Sequence, residues 1–297
     1  MRRSVAAKCE VAHLRLGHVM AVAAVLACCG ILGVVRAPVS LGMDTAGSLA
    51  FGGLDRTYLV HAPAGVDHPT GLVINLHGAG MSAAEQASLT NYDAVADQHG
   101  FAVVYPDGID LSWADGRGAS LPDRQGVDDV GFLVALADRL TADLKIDPGR
   151  VFATGLSAGA FMATRLACQR ADVVAAIAPV AGSLGSAVTC APSRPVSVIA
   201  THGMSDPVVP YNGGGMVGRG GPSDIVAPQA MVGRWRELDH CPSAPVEDVP
   251  SPGVHRFTST GCANGTEVVF VAVDGGGHEW FGGASDVSAQ FFATHAR

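Results

Sequence analysis

The chain has 297 residues, of which 48% are hydrophobic and only 15% charged, with a formal net charge of −8. That composition excludes a disordered chain, which needs high charge and low hydrophobicity. The acidic balance leaves no basic footprint for nucleic acid. The length allows one or two domains, and 38 glycines with 17 prolines point to many tight turns.

Residues 1–37 read as a leader. Arg2, Arg3, Lys8 and Arg15 precede an uncharged apolar run at 19–35, VMAVAAVLACCGILGVV, in the basic-then-apolar order of a secretory signal. The run is long for a cleaved signal and barely long enough to cross a bilayer. Three fates stay open: cleavage near Ala37, lipid attachment at Cys28 behind Val25-Leu26-Ala27, which resembles a bacterial lipobox, or retention as an anchor. All three put residues 38–297 outside the cytoplasm as one folded domain, extracellular or on the cell envelope, with membrane attachment only through the N-terminus. That domain keeps Cys168, Cys190, Cys241 and Cys262. An even count in an exported domain points to disulfides, with three connectivities available. No HExxH and no cysteine pair at zinc-finger spacing occurs, so neither a metal nor a cofactor is expected.

After a flexible segment to about residue 49, apolar runs alternate with amphipathic stretches. Strands are predicted at 56–61 (RTYLVH) and 71–76 (GLVINL), a helix at 82–98, and a strand at 101–105 (FAVVY). A Gly/Asp/Pro-rich loop covers 106–125. A helix at 129–144 follows, with Asp128 or Asp129 as its cap. The strand at 151–154 leads into GLSAG and a helix at 158–171. Then come strands at 173–178 and 196–200, a helix at 228–239, strands at 256–259 and 268–273, and a terminal helix at 286–295. This alternation predicts an α/β fold, a mostly parallel sheet with helices on both faces.

The string Gly155-Leu156-Ser157-Ala158-Gly159 offers a nucleophile. In a chain this rich in glycine such a string arises by chance roughly 0.3 times, so its context decides. A strand precedes it and a helix follows, which would lift Ser157 clear of the sheet on a sharp turn. The helix N-terminus behind it favours developing negative charge. A serine needs a base, and the base an orienting acid, in the chain order Ser, acid, His. Asp206 follows the predicted strand at 196–200, and His278 follows the strand at 268–273 through three glycines. Both therefore sit at strand carboxyl ends, where open α/β sheets build their sites. Asp224, Asp248, His240 and His255 lack that placement. The loop His77-Gly78-Ala79-Gly80 closes an early strand, so the amides of Ala79 and Ala158 are assigned to an oxyanion hole. His77 reads as a structural loop residue. Trp113 and Trp280 are candidates for a substrate-stacking wall, though each reads equally as an aromatic packed under a loop.

VINLHGAG, VDDVGFL, GLSAGAFMA, AAIAPVAG, HGMSDPVVPYNGG and GGGHEWFG together resemble the secreted esterase family of polyhydroxybutyrate-depolymerase-like proteins and feruloyl and acetylxylan esterases. The resemblance runs from about Gly53 to the C-terminus. It implies an α/β-hydrolase fold, puts Ser157, Asp206 and His278 on the family's triad, and pairs Cys241 with Cys262 and Cys168 with Cys190. It also implies hydrolysis of polymeric or aryl carboxylic esters through an acyl-enzyme. The chain departs from the family at Ser112-Trp113, where members often carry Cys-Trp, and at Phe281, where they carry Pro near the His. Two other functions stay open: acyl transfer to a sugar hydroxyl, and a non-catalytic envelope binding protein on the same scaffold.

Overall fold

The computed structural model describes residues 44–297; the leader, with Cys28 and the proposed cleavage point, lies outside the described residues. One edge of the main sheet is antiparallel: β1 (Thr45–Phe51) pairs with β2 (Leu54–His61), and β2 with β4 (Phe101–Pro106). From β4 the pairing is parallel through β3 (Gly71–Leu76), β5 (Val151–Leu156), β6 (Ala176–Val180), β7 (Ser197–Gly203) and β12 (Val268–Val273). Antiparallel β11 (Val254–Ser259) and β10 (Val246–Ser251) complete the ten-stranded order β1-β2-β4-β3-β5-β6-β7-β12-β11-β10. A separate hairpin is formed by β8 (Gly214–Gly218) and β9 (Gly221–Ile225).

Every residue of β3, β4 and β5 is buried, which is why these strands read as unbroken apolar runs: helices cover both of their faces. One face packs α4 (Asp129–Leu144), α5 (Ala158–Gln169) and α6 (Pro228–Leu238), with Phe132, Leu136, Met162, Leu166, Met231 and Trp235 in its core. The other packs α1 (Ala83–Thr90), α2 (Tyr92–His99) and α7 (Ala284–Thr294), through Tyr92, Val95, Phe291 and Phe292. Each large apolar side chain so buried contributes about 1.5–3 kcal/mol.

Asp128 and Asp129 divide the work at the start of α4. Asp128 caps the helix, accepting from Gly131 N–H at 2.8 Å. Asp129 is buried, pairs with Arg56 of β2 at 2.7 Å and accepts from Ala114 N–H at 2.7 Å. Two disulfides are formed among the described residues. Cys168 of α5 joins Cys190 in the chain leading to β7, and Cys241, after α6, joins Cys262 ahead of β12.

The fold differs from the sequence reading in five places. Of the segment expected to be flexible up to about residue 49, the described residues from Thr45 on belong to β1, whose small residues TAGSLAF alternate without a strong apolar signal. The helix expected at 82–98 is two helices, broken at Asn91, which adopts the left-handed conformation (φ 45°, ψ 36°) that asparagine tolerates. The loop 106–125 holds a short helix, α3 (Leu121–Gln125), started by Ser120. The strand expected at 173–178 begins later, as β6, because Val173 and Val174 donate back to Arg170 C=O in a turn. The β8–β9 hairpin and β10 were not expected, their sequences being glycine-rich and charged. β10 pairs only with β11, carries Glu247, Asp248 and Pro250, and has a register shift between Asp248 and Ser251.

Candidate active site

β5 runs into α5 through Ser157, whose backbone (φ 54°, ψ −115°) lies outside the ordinary regions for an L-residue. Such a conformation costs on the order of 1–3 kcal/mol and persists only where the surroundings enforce it. Enforcement is visible on both sides. Ser157 N–H donates to Val180 C=O at 3.0 Å, and its own C=O accepts from Phe161 N–H at 3.0 Å. Close approach of β3 is the second constraint: a Cβ on Gly159 would meet Leu76 O at 2.1 Å. Ser157 is half-buried, and its hydroxyl makes no hydrogen bond among the described residues. The first amides of α5 have no partner within their own helix and present partial positive charge beside it.

Past the end of β7 the chain turns sharply, and the Asp206 side chain is fully buried in the turn. Its Oδ1 accepts from the amides of Val208 and Val209, both at 2.8 Å. Its Oδ2 faces His278 Nδ1 at 2.8 Å. Burial alone would raise the Asp206 carboxyl, but the bonds from His278, Val209 and Val208 outweigh it and hold the group below the usual carboxylate range. Asp206 is therefore ionised at neutral pH and accepts a hydrogen bond from Nδ1–H of His278, which leaves Nε2 as the unengaged ring nitrogen.

The loop carrying His278 is laid directly on the end of β7. Met204 N–H donates to Val273 C=O at 2.9 Å and Ser205 N–H to Gly276 C=O at 3.0 Å. A Cβ on Gly203 would strike Gly276 O at 2.3 Å. Beyond His278, Trp280 and Phe281 pack with Leu156, Val180 and Ala181, which brings the loop to the residue preceding Ser157. His202, buried on β7, donates from Nε2 to Val209 C=O at 3.0 Å and so supports the turn that holds Asp206. Burial keeps its imidazole below the ordinary histidine range. Sequence reasoning missed His202; the signal was its position four residues before the acid, at the end of a buried strand.

The His77–Gly80 loop crosses the first turn of α5, since a Cβ on Gly159 would also lie 2.8 Å from His77 O. This contact sets the loop that carries Ala79 against the start of α5, which opens at Ala158. His77 is buried, and its tautomer follows from its partners. Gly108 N–H donates to Nε2 at 2.9 Å, so Nδ1 carries the proton and donates to Gly78 C=O at 2.8 Å. Burial, the largest influence, lowers its pKa and keeps the ring neutral. Gly78 C=O also accepts from Met81 N–H at 3.1 Å. Because the trans peptide sets N–H opposite C=O, fixing that carbonyl fixes the aim of the Ala79 N–H.

Of its two readings, Trp113 takes that of an aromatic packed under a loop. Its side chain is fully buried, its Nε1–H donates to His77 C=O at 2.9 Å, and its ring lies 4.8 Å from the His77 ring. It braces the oxyanion loop from beneath. An indole with a donor to satisfy goes where a carbonyl awaits it, and nothing in the sequence fixed which side of the loop that was. Trp280 is half-buried, with Nε1–H donating to Ser285 Oγ at 3.1 Å, and keeps some exposed surface near His278.

Known proteins resemble this chain in sequence and in fold. The profile of the family described as Esterase PHB depolymerase matches residues 56–222, more than half of the chain. NocK, an inferred esterase of Nocardia uniformis subsp. tsuyamanensis, is 34% identical over 84% of this chain and 78% of its own length. Feruloyl esterase B of Piromyces equi is 30% identical over 75% of this chain, which spans only 42% of that relative. Among solved structures, the acetyl xylan esterase of Aspergillus awamori superposes with a TM-score of 0.62 over 84% of this chain and 98% of that one, at 14% identity, and so shares the fold. The chain belongs to the Esterase PHB depolymerase family and is a carboxylic-ester hydrolase on an α/β-hydrolase fold.

Proposed function

We propose that the chain cleaves esters through an acyl-enzyme, with Ser157 as nucleophile, His278 as base and Asp206 as orienting acid. The observation that carries this is the 2.8 Å contact from His278 Nδ1 to a buried, ionised Asp206, at sheet ends adjoining the strained Ser157 turn. In the first half-reaction Ser157 Oγ attacks the carbonyl carbon while its proton passes to His278 Nε2. The carbonyl oxygen, now negative, is held by the Ala79 and Ala158 amides. The C–O bond to the alcohol breaks, and His278 returns the proton to the departing oxygen. Water then repeats the sequence on the acyl-serine and frees the acid.

The acyl or alcohol part is an aryl or polymer-borne group; an aryl acyl group is what the feruloyl esterase relative is named for. Two disulfides within the described residues support an oxidising, exported location for the domain, and the basic-then-apolar leader supports the same address. Replacing Ser157 with Ala tests the core of the proposal. Hydrolysis of p-nitrophenyl acetate is expected to fall by about 10⁴–10⁶ in kcat, with the melting temperature preserved. A variant retaining more than about a tenth of the activity would remove Ser157 from the role.

A further inference from the structure

Beside the His77–Gly80 loop, the segment after β4 and the tip of the β8–β9 hairpin enclose a cavity of about 190 Å³, lined by Asp110, Ser112, Ser120, Arg124, Arg219 and Gly220. Arg219, at the hairpin tip, lies across Gly80: a Cβ there would come within 3.3 Å of Arg219 Cδ. Gly80 directly follows Ala79, and successive Cα atoms are about 3.8 Å apart. The cavity therefore adjoins the amide proposed to hold the oxyanion. Gly80 N–H, in turn, donates to Leu111 C=O at 2.7 Å, tying the same loop to the cavity's other wall.

Backbone groups, rather than acids, hold the two arginines. Arg219 Nη1 donates to Asp110 C=O at 2.7 Å, and Arg124 Nη1 donates to the carbonyls of Ala119 and Gly220. The hairpin tip sits flush against this wall, since a Cβ on Gly220 would meet Ala119 O at 2.5 Å. The one carboxylate present, Asp110, stands 3.7 Å from Arg219 with both groups nearly half exposed, an arrangement that neutralises little. Among the described residues, Nε and Nη2 of both guanidiniums and the Ser112 hydroxyl have no hydrogen-bond partner. The result is a local excess of positive charge, with paired donors free, in a chain whose net charge is −8.

We infer that this cavity is a subsite for a carboxylate carried by the ester substrate close to the bond being cleaved. A guanidinium fork meets the two oxygens of a carboxylate edge-on, and two guanidiniums and a hydroxyl lining one cavity select a charged group over a neutral one of the same size. The inference rests on the Ser157-centred reading, because only that reading makes the neighbouring loop an oxyanion loop.

Two matched substrate pairs test it. The p-nitrophenyl monoester of glutaric acid against p-nitrophenyl valerate carries the charge on the acyl side, and 3-acetoxybutyrate against 3-acetoxybutyramide carries it on the alcohol side. In at least one pair the charged ester is expected to have the higher kcat/KM. That ratio should fall about 3–10-fold in Arg219→Gln or Arg124→Gln, through KM, consistent with one or two partly exposed ion pairs. In the wild-type chain it should also shrink as salt is raised. A ratio that neither the arginine substitutions nor salt changes, in both pairs, overturns the subsite. Failure of the catalytic reading has a different signature: neutral-ester hydrolysis that survives Ser157→Ala.

Discussion

Asp206 uses its two oxygens differently, and that division makes its replacement informative. Oδ1 is spent on the amides of Val208 and Val209, which Asn would satisfy equally well. Oδ2 accepts the hydrogen bond from His278 Nδ1–H, and an amide NH₂ in its place would force Nδ1 to accept and move the ring proton to Nε2. Asp206→Asn is therefore expected to keep the fold and KM but lower kcat by about 10⁴, as tautomer reversal does in other triads. Acid should act in the same direction. A carboxyl held below its usual range adds stability that is fully present above the ordinary carboxylate pKa and lost as pH falls through its lowered value. A thermal scan from pH 6 to pH 3 should show that loss in the wild type and a smaller one in Asp206→Asn. At this scale the placement of Ser157, Asp206 and His278 just past strand ends was legible, because each follows a short apolar run that reads as a buried strand. Trp113 was not, because its placement depends on which carbonyl its indole reaches. His77 was read as structural, but its bond to Gly78 C=O depends on a tautomer that only the position of Gly108 reveals.

At the scale of elements, the site depends on strand ends that approach within van der Waals limits. Gly203 is where β7 and the His278 loop touch, and an added methyl would sit 2.3 Å from Gly276 O and 2.5 Å from Gly277 O, neither of which is flexible. Gly203→Ala should lift that loop off β7 and separate His278 from Asp206. We expect kcat/KM to fall at least about 100-fold, as small misplacements of reacting groups do, with the circular dichroism of the sheet retained. Near-normal activity would mean that the His278 loop does not depend on this contact. The parallel strands were legible from their uninterrupted apolar runs, and α4 from its apolar stripe and its Asp128 cap. The β8–β9 hairpin was not: GGMVG and GPSDI carry little periodic signal, and their pairing is fixed by the turn and by contacts with Ala119 and Leu184 that are distant in sequence.

For the molecule as a whole, the two disulfides tie the peripheral helices to the sheet. Cys168–Cys190 closes a separation of 22 residues and Cys241–Cys262 one of 21, each adding roughly 3 kcal/mol in the chain-entropy account. Reduction, or Cys241→Ser with Cys262→Ser, should lower the melting temperature by several degrees while the remaining folded enzyme keeps its kcat, since neither pair borders the candidate site. An unchanged melting temperature would show that the crosslink adds nothing to the packing around Trp235. The general architecture was legible from strand–helix alternation, whereas both antiparallel margins of the sheet were not fully so, because β1 and β10 bury few large side chains. The far margin has a consequence for assembly. A sheet grows by recruiting another strand to an open edge, and β10 meets a newcomer with Glu247 and Asp248 side by side, a proline that donates no hydrogen bond, and a register shift that spoils the ladder. Copies crowded together at high concentration are thus barred from joining sheet to sheet along that margin.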